Sequence, residues 1–312
     1  MREVSINIPF FNRLDTLSRC IKSIEENTPR DLYELVLIND GSTDAEAVDY
    51  AKSHADIFVN HDDVSGIATS RADGVNVSTC KYICTCDSDI VVPPKWLQTL
   101  LRTFKMDHLH PNLDKRQPSH RFITHGVDVK ILAPLLYGRV GQYIWAMNKC
   151  TPNWVLLVGE VGTYCMMFEK SLINLIGNFD TNLFNIWEDL DFCRRISQNV
   201  FDLPNNPIVA LDTRVIVYHH GWCDPQTGIY YGEPKSNTRD LVAAVVRENR
   251  EKMIKVAKAI KLLNDRWGVK HGIYDRFMEV LTQNGIDTEK PLCESWANKP
   301  MYKFKPLEMA TK

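Results

Sequence analysis

No stretch of the 312 residues approaches the roughly 20 consecutive apolar residues that a membrane-spanning helix needs, so any work at a membrane is expected to be peripheral. Met1–Ile8 does not read as a secretory leader, so none is expected. The nine cysteines fall into no regular disulfide framework. Cys80, Cys84 and Cys86 sit in an apolar, strand-like run, on one face of a strand and without the short knuckle spacing of a structural zinc site. Buried core thiols, kept reduced in a cytosolic setting, are the simplest reading. The formal net charge is only −2, so nothing global steers the chain toward nucleic acid or an anionic membrane. Internal repeats are also missing.

What is present is an ordinary globular balance, 44% apolar and 24% charged residues, in a length that suits one large α/β domain or two closely packed subdomains. The first hundred residues alternate between two periods. Short apolar runs at Val4–Pro9, Leu35–Asn39, Ile57–Asn60 and Tyr82–Cys86 read as strands. Leu14–Ile24, Asp44–Ser53 (with Asp44 as N-cap), Ile67–Val77 and the segment opened by Pro93-Pro94 read as helices. Such alternation implies a mostly parallel sheet with ligands at the carboxyl ends of its strands. Farther on, 106–121 reads as a polar loop, Val127–Tyr137 as a helix, Gly162–Phe168 as a strand, and Glu169–Ile176 and Asp189–Ile196 as helices. Val209–Tyr218 reads as a strand, Thr238–Asn264 as a long helix, and the chain beyond Lys290 as an irregular, proline-containing arm.

Four polar groups follow these elements. Asp87-Ser88-Asp89 ends the fourth strand. Two carboxylates one residue apart can hold a hard divalent cation and a ribose hydroxyl, and equally can be a polar loop that merely ends a strand. Asp40, at the end of the second strand, can accept from a nucleobase imide, with Gly41 allowing a sharp turn beneath it. Taken alone, an Asx turn before a capped helix is the stronger reading. Glu188 and Asp189 open a helix, where the dipole would keep a catalytic carboxylate ionised and also favours acids with no catalytic role. His219-His220 ends a strand; a histidine can ligate Mn²⁺, although such pairs are usually surface or packing residues.

The order of these groups resembles glycosyltransferase family 2. The resemblance is carried by six segments: 4–13, 35–44, 65–71, 82–97, 177–180 and 188–195, within roughly residues 3–222. It implies an α/β fold of the GT-A type: a Rossmann-like, mostly parallel central sheet flanked by helices, here with a C-terminal helical extension. It divides the chain into a nucleotide-sugar half (1–105), an acceptor and catalytic half (106–235) and a basic extension (236–312). By resemblance Pro9, Phe11 and Asp40 hold the nucleotide base, Arg71 lies near the diphosphate or base, and Asp87 and Ser88 meet the ribose and metal. Asp89 is then the main ligand of Mn²⁺ or Mg²⁺, Asp189 the catalytic base, and Glu188 a positioning group for acceptor or sugar. His219 is chosen over His220 as a further ligand, because strand alternation puts it on the face of Val215 and Val217. Phe10-Phe11 stands where the family often has Thr-Tyr or Ser-Tyr, and Ala72 where it usually has Asn.

The expected reaction is inverting transfer from a nucleoside-diphosphate sugar, preferentially uridine-linked, to a hydroxyl on a glycan, lipid-linked saccharide or surface polymer. Two features bear on other readings. Residues 247–276 hold nine Lys/Arg against four acids, which suits either a solvated helix face or a surface laid against nucleic acid, as in a DNA-modifying enzyme, or an anionic membrane. Pro9-Phe10-Phe11-Asn12 is no Gly-rich phosphate loop, which sets aside a sugar-nucleotide pyrophosphorylase. A catalytically silent module would have no need for both acidic motifs.

Overall fold

The computed structural model describes residues 2–105, 128–137, 155–184, 187–198, 207–219 and 250–268. The chain opens with β1 (Val4–Phe10), α1 (Leu14–Asn27), β2 (Tyr33–Asp40), α2 (Ala45–His54), β3 (Ile57–His61), α3 (Ile67–Val77), β4 (Tyr82–Cys86), β5 (Ile90–Val91) and α4 (Trp96–Lys105). It continues with β6 (Asp128–Tyr137), β7 (Val155–Val158), β8 (Cys165–Glu169), α5 (Leu172–Ile176), a 3₁₀ turn (Thr181–Leu183), α6 (Glu188–Ser197), β9 (Pro207–His219) and α7 (Arg250–Trp267).

One sheet runs β3-β2-β1-β4-β8-β6-β9-β5, with β7 added on β9. The pairs β3–β2–β1–β4 are all parallel, as the alternation predicts. Every residue of β1, β2 and β4 is buried, the pattern of strands covered on both faces. Beyond β4 the sheet is mixed: β8 runs antiparallel to β4 and β6, whereas β6 and β9 are parallel. Helix α1 buries Leu17, Ile21 and Ile24 along one stripe, which fixes it against the sheet. Asp44 caps α2 by accepting from Ala47 N–H.

The helix expected near Val127–Tyr137 is instead β6. Ile131–Leu136 is buried without interruption, because the segment lies between β8 and β9, and periodicity alone cannot separate such a strand from a buried helix. Pro134 is accommodated at a register shift between Pro134 and Leu135, where a missing ladder donor costs little. Of the expected Thr238–Asn264 helix, Arg250–Trp267 is described; 238–249, the 106–121 loop, His220 and the terminal arm lie outside the described residues. No helix among the described residues is long and apolar enough to cross a membrane.

Cys84 and Cys86 of β4 face Cys165 of β8, with sulfurs 3.9 Å apart from Cys84 to each of the others, all fully buried. Cys80 is buried too, but precedes β4 instead of sharing its face.

Candidate active site

The parallel half carries its polar residues to one end of the sheet, as strand direction requires. Two strand-end loops are stitched together there. Asn12 Oδ1 accepts from the backbone N–H groups of Thr43 and Asp44, and Asn12 N–H donates to Ser42 Oγ at 2.8 Å. Gly41 lies at φ 74°, and a Cβ on it would sit 2.4 Å from the backbone of Asp63 and Val64, so the sharp turn expected beneath Asp40 is observed.

Asp40 itself is only 5% exposed. Its Oδ1 accepts from Ser65 N–H (2.8 Å), Ser65 Oγ (2.7 Å) and Gly66 N–H (3.1 Å), and His61 Nδ1 lies 3.4 Å away. Burial pushes this carboxyl up, but the donors from His61, Ser65 and Gly66 win and hold it below the ordinary carboxylate value. Its Oδ2 is left with a 3.2 Å contact from Gly66 N–H. Pro9 and Phe11 are buried at the end of β1, with Pro9 in register with Ile38.

Asp87, Asp89 and His219 come together as expected. One ligand atom from each lies within 4.8 Å of the others. The antiparallel pair Ile90↔His219 makes this possible, because β5 brings the loop after β4 beside the end of β9. His219 Nε2 is 3.3 Å from Asp89 Oδ1. Burial raises the Asp89 pKa, the Asp87 charge adds to this, and His219 opposes it. Two carboxylates and an imidazole in a partly enclosed site suit a hard or borderline divalent cation, whose charge would relieve the crowding of the two acids. Ser88, between them, is buried.

Arg71 joins this cluster to the second acidic motif. Its Nη2 donates to Asp87 Oδ1 (2.6 Å), its Nε to Glu188 Oε1 (3.2 Å) and its Nη1 to Thr85 Oγ1 (2.7 Å) and the Thr163 carbonyl (3.4 Å). Thr163 Oγ1 donates to the same Glu188 oxygen at 3.2 Å. Asp189, next in α6, accepts from Leu190 N–H at 2.7 Å. Burial pushes the Asp189 carboxyl up to about 7, with the Glu188 charge adding to it.

Sequence reasoning missed several partners. Thr85 in β4 and Thr163 in the turn before β8 are ordinary residues whose hydroxyls matter only once Arg71 is placed. Asp191 is fully buried and held by Arg266 and Trp267 of α7. The acidic-block signal contained Asp191, but nothing in the sequence tied it to residues 75 and 76 positions away.

A curled mixed sheet flanked by helices, with acidic motifs at one end, is the GT-A arrangement. The crystal structure of GalNAc-T7 with UDP, GalNAc and Mn²⁺ superposes with a TM-score of 0.52 at 15% identity, covering 91% of this chain and 57% of that one. The chain belongs to glycosyl transferase family 2, whose model matches residues 5–172, more than half of it. The uncharacterized glycosyltransferase YibD of Escherichia coli (strain K12) is 33% identical over 110 residues, 34% of this chain and 32% of that protein. The pre-mycofactocin glycosyltransferase of Mycobacterium tuberculosis (strain ATCC 25618 / H37Rv) is 26% identical over 217 residues, 68% of this chain and 43% of that protein. The chain thus spans about a third of the length of the first relative and less than half of the second.

Proposed function

We propose that the chain is an inverting glycosyltransferase that moves a sugar from a nucleoside-diphosphate sugar, preferentially uridine-linked, to an acceptor hydroxyl. The acceptor class that suits the family is a glycan, a lipid-linked saccharide or a surface polymer. The observation that carries the reading is the single polar path Asp89–Asp87–Arg71–Glu188, with Asp189 beside it. In this reading the Asp87–Asp89–His219 cluster holds the cation and Asp189 is the base, side by side at one end of the sheet.

Pro9, Phe11 and Asp40 line the base subsite in this reading, with Asp40 Oδ2 as the acceptor that remains least used. Asp87 and Ser88 face the ribose. Mn²⁺ or Mg²⁺ bound by Asp89, Asp87 and His219 would supply positive charge against the departing diphosphate. Asp189 removes the proton from the acceptor hydroxyl. That oxygen forms its bond to the anomeric carbon as the sugar–phosphate bond breaks, and the nucleoside diphosphate leaves with the bonding pair. A carboxylate raised to about 7 suits this task, because a base works best with a pKa near the working pH. Arg71 holds Asp87 and Glu188 in fixed relation, and Glu188 orients acceptor or sugar.

The test is a donor screen. The protein is incubated with Mn²⁺ and a panel of nucleotide sugars, and nucleoside diphosphate release and thermal shift are recorded with and without EDTA. One donor is expected to stabilise the protein and be slowly hydrolysed only with metal. Asp89→Ala should abolish the metal-dependent shift. Loss of response to every donor would favour a silent module with the same fold.

A further inference from the structure

We propose that α7 is a positioning element for the catalytic block, with Arg266 and Trp267 fixing the Glu188–Asp189 pair through Asp191. The inference rests on the assignment of Asp189 as base.

The geometry is specific. Asp191 stands in the first turn of α6, two residues after Asp189, and is fully buried. Its Oδ1 accepts from Arg266 Nη1 at 2.5 Å and from Trp267 Nε1 at 2.9 Å. Its Oδ2 lies 3.0 Å from Arg195 Nη2, one turn farther along the same helix. Arg266 Nη2 also donates to Asp180 Oδ2 at 2.9 Å. Asp180 caps the 3₁₀ turn by accepting from Asn182 N–H. Two buried acids are therefore matched by two arginines, which is the condition under which such charges are tolerated inside a protein.

The apolar contacts point the same way. Ala259 and Leu263 of α7 are buried against Ala68 of α3 and Leu183 of the 3₁₀ turn. Trp187 and Leu190 pack against this cluster. These two residues bracket Glu188 and Asp189, so the cluster that α7 completes is met by the chain on both sides of the pair. Trp187 sits in the left-handed region (φ 46°, ψ 40°), a strained conformation for a bulky residue that persists only when its surroundings enforce it.

The same brace reaches the donor side. Ala68 N–H donates to the Phe184 carbonyl at 2.8 Å. Gly66, at φ 100°, lies so close to the Phe184 ring that a Cβ would fall 2.4 Å from it. The start of α3, which carries Arg71, and the start of α6, which carries the base, are thus seated on one platform closed by α7. Glycosyl transfer needs those two helix starts in fixed relation, and a displacement of about 1 Å can cost 10²-fold in rate.

The experiment compares Arg266→Lys and Trp267→Phe with the unmodified full chain. The first keeps a charge without the two-pronged fork, and the second keeps the ring without its N–H donor. Peptide-resolved hydrogen exchange and steady-state kinetics with the donor found in the screen are both recorded. Exchange should accelerate in 180–184 and 187–191, with β1 and β4 unchanged. The kcat should fall roughly ten- to a hundredfold, with donor KM within about twofold. In an Asp189→Asn background the further loss of kcat should disappear, since no base is left to position. Unchanged exchange at 187–191, or faster exchange with unchanged kcat, would overturn the proposal. If either variant fails to fold, the other decides. Absence of turnover in the unmodified chain would instead overturn the assignment of Asp189 as base, while the exchange data still report whether α7 braces α6.

Discussion

Arg71 is 2% exposed and fully charged, and its guanidinium spends its donors on Asp87, Glu188, Thr85 and the Thr163 carbonyl. The resemblance places it near the diphosphate or base. The geometry adds a structural duty, since no other residue described spans the two acidic motifs by direct hydrogen bonds. Removing one partner of a buried charge pair costs about 3–5 kcal/mol, because the other is left uncompensated. Arg71→Ala is therefore expected to lower unfolding free energy by that order, measured by denaturant titration. Arg71→Lys should recover only part of it, because an ammonium cannot serve partners in a planar fork. Gly41 is the second residue whose identity is dictated locally. Its φ of 74° and the 2.4 Å approach of the Asp63 and Val64 backbone leave no room for a side chain. Gly41→Ala should destabilise the fold by more than the roughly 1 kcal/mol of a routine glycine replacement, since backbone, not a flexible side chain, would have to move.

At the scale of elements, α2 offers a clean test. Asp44 accepts from Ala47 N–H at 3.1 Å, and Asp44→Ala should cost about 0.5–2 kcal/mol, read as a lower denaturant midpoint with unchanged slope. The cap was legible because a capping residue acts within its own turn. The parallel strands were legible for a similar reason: Tyr82–Cys86 and Ile67–Val77 match their expected bounds, because strand and helix periods alternate cleanly between polar loops. β6 was not, since Ile131–Leu136 is buried by neighbours that arrive 35 to 81 residues later in the chain, and no local period records them. The candidate site divides along the same line. Asp87, Asp89 and His219 were found by order and chemistry and do converge. Arg266 and Trp267 were read only as part of a basic stretch, yet Arg266 is turned inward onto Asp180 and Asp191. Lys255 and Lys258 of the same helix are exposed, the solvated face that the sequence suggests.

For the whole molecule, the proposed role of the acidic site sets activity and stability in opposition. Asp189 is raised from an ordinary 3.8 to about 7, first by burial and then by Glu188. The folded protein therefore holds this proton more tightly than the unfolded chain does. Between roughly pH 4 and 7 the folded state binds more protons, so this group's contribution makes stability fall as pH rises through that window. On the proposed assignment of Asp189 as base the ionised form is the active one, so kcat/KM should rise over the upper part of the same window, with its acid limb near pH 7 and not near 4. Asp189→Asn separates the two effects. Turnover should drop by at least about 10²–10⁴-fold, with donor binding nearly intact. The melting temperature at pH 8 should increase, because the amide removes a half-buried charge that its surroundings oppose, and the difference from the unmodified protein should shrink at pH 4, where both folded side chains are neutral. Equal melting temperatures at pH 8 would mean that the surroundings of Asp189 do not oppose its ionisation, and near-normal turnover would remove it from the chemistry. Two acidic motifs held a few side chains apart crowd negative charge, and the arginines at 71, 195 and 266 limit it by pairing with Glu188 and Asp191, while none of these pairs falls on Asp189, the carboxylate proposed as base.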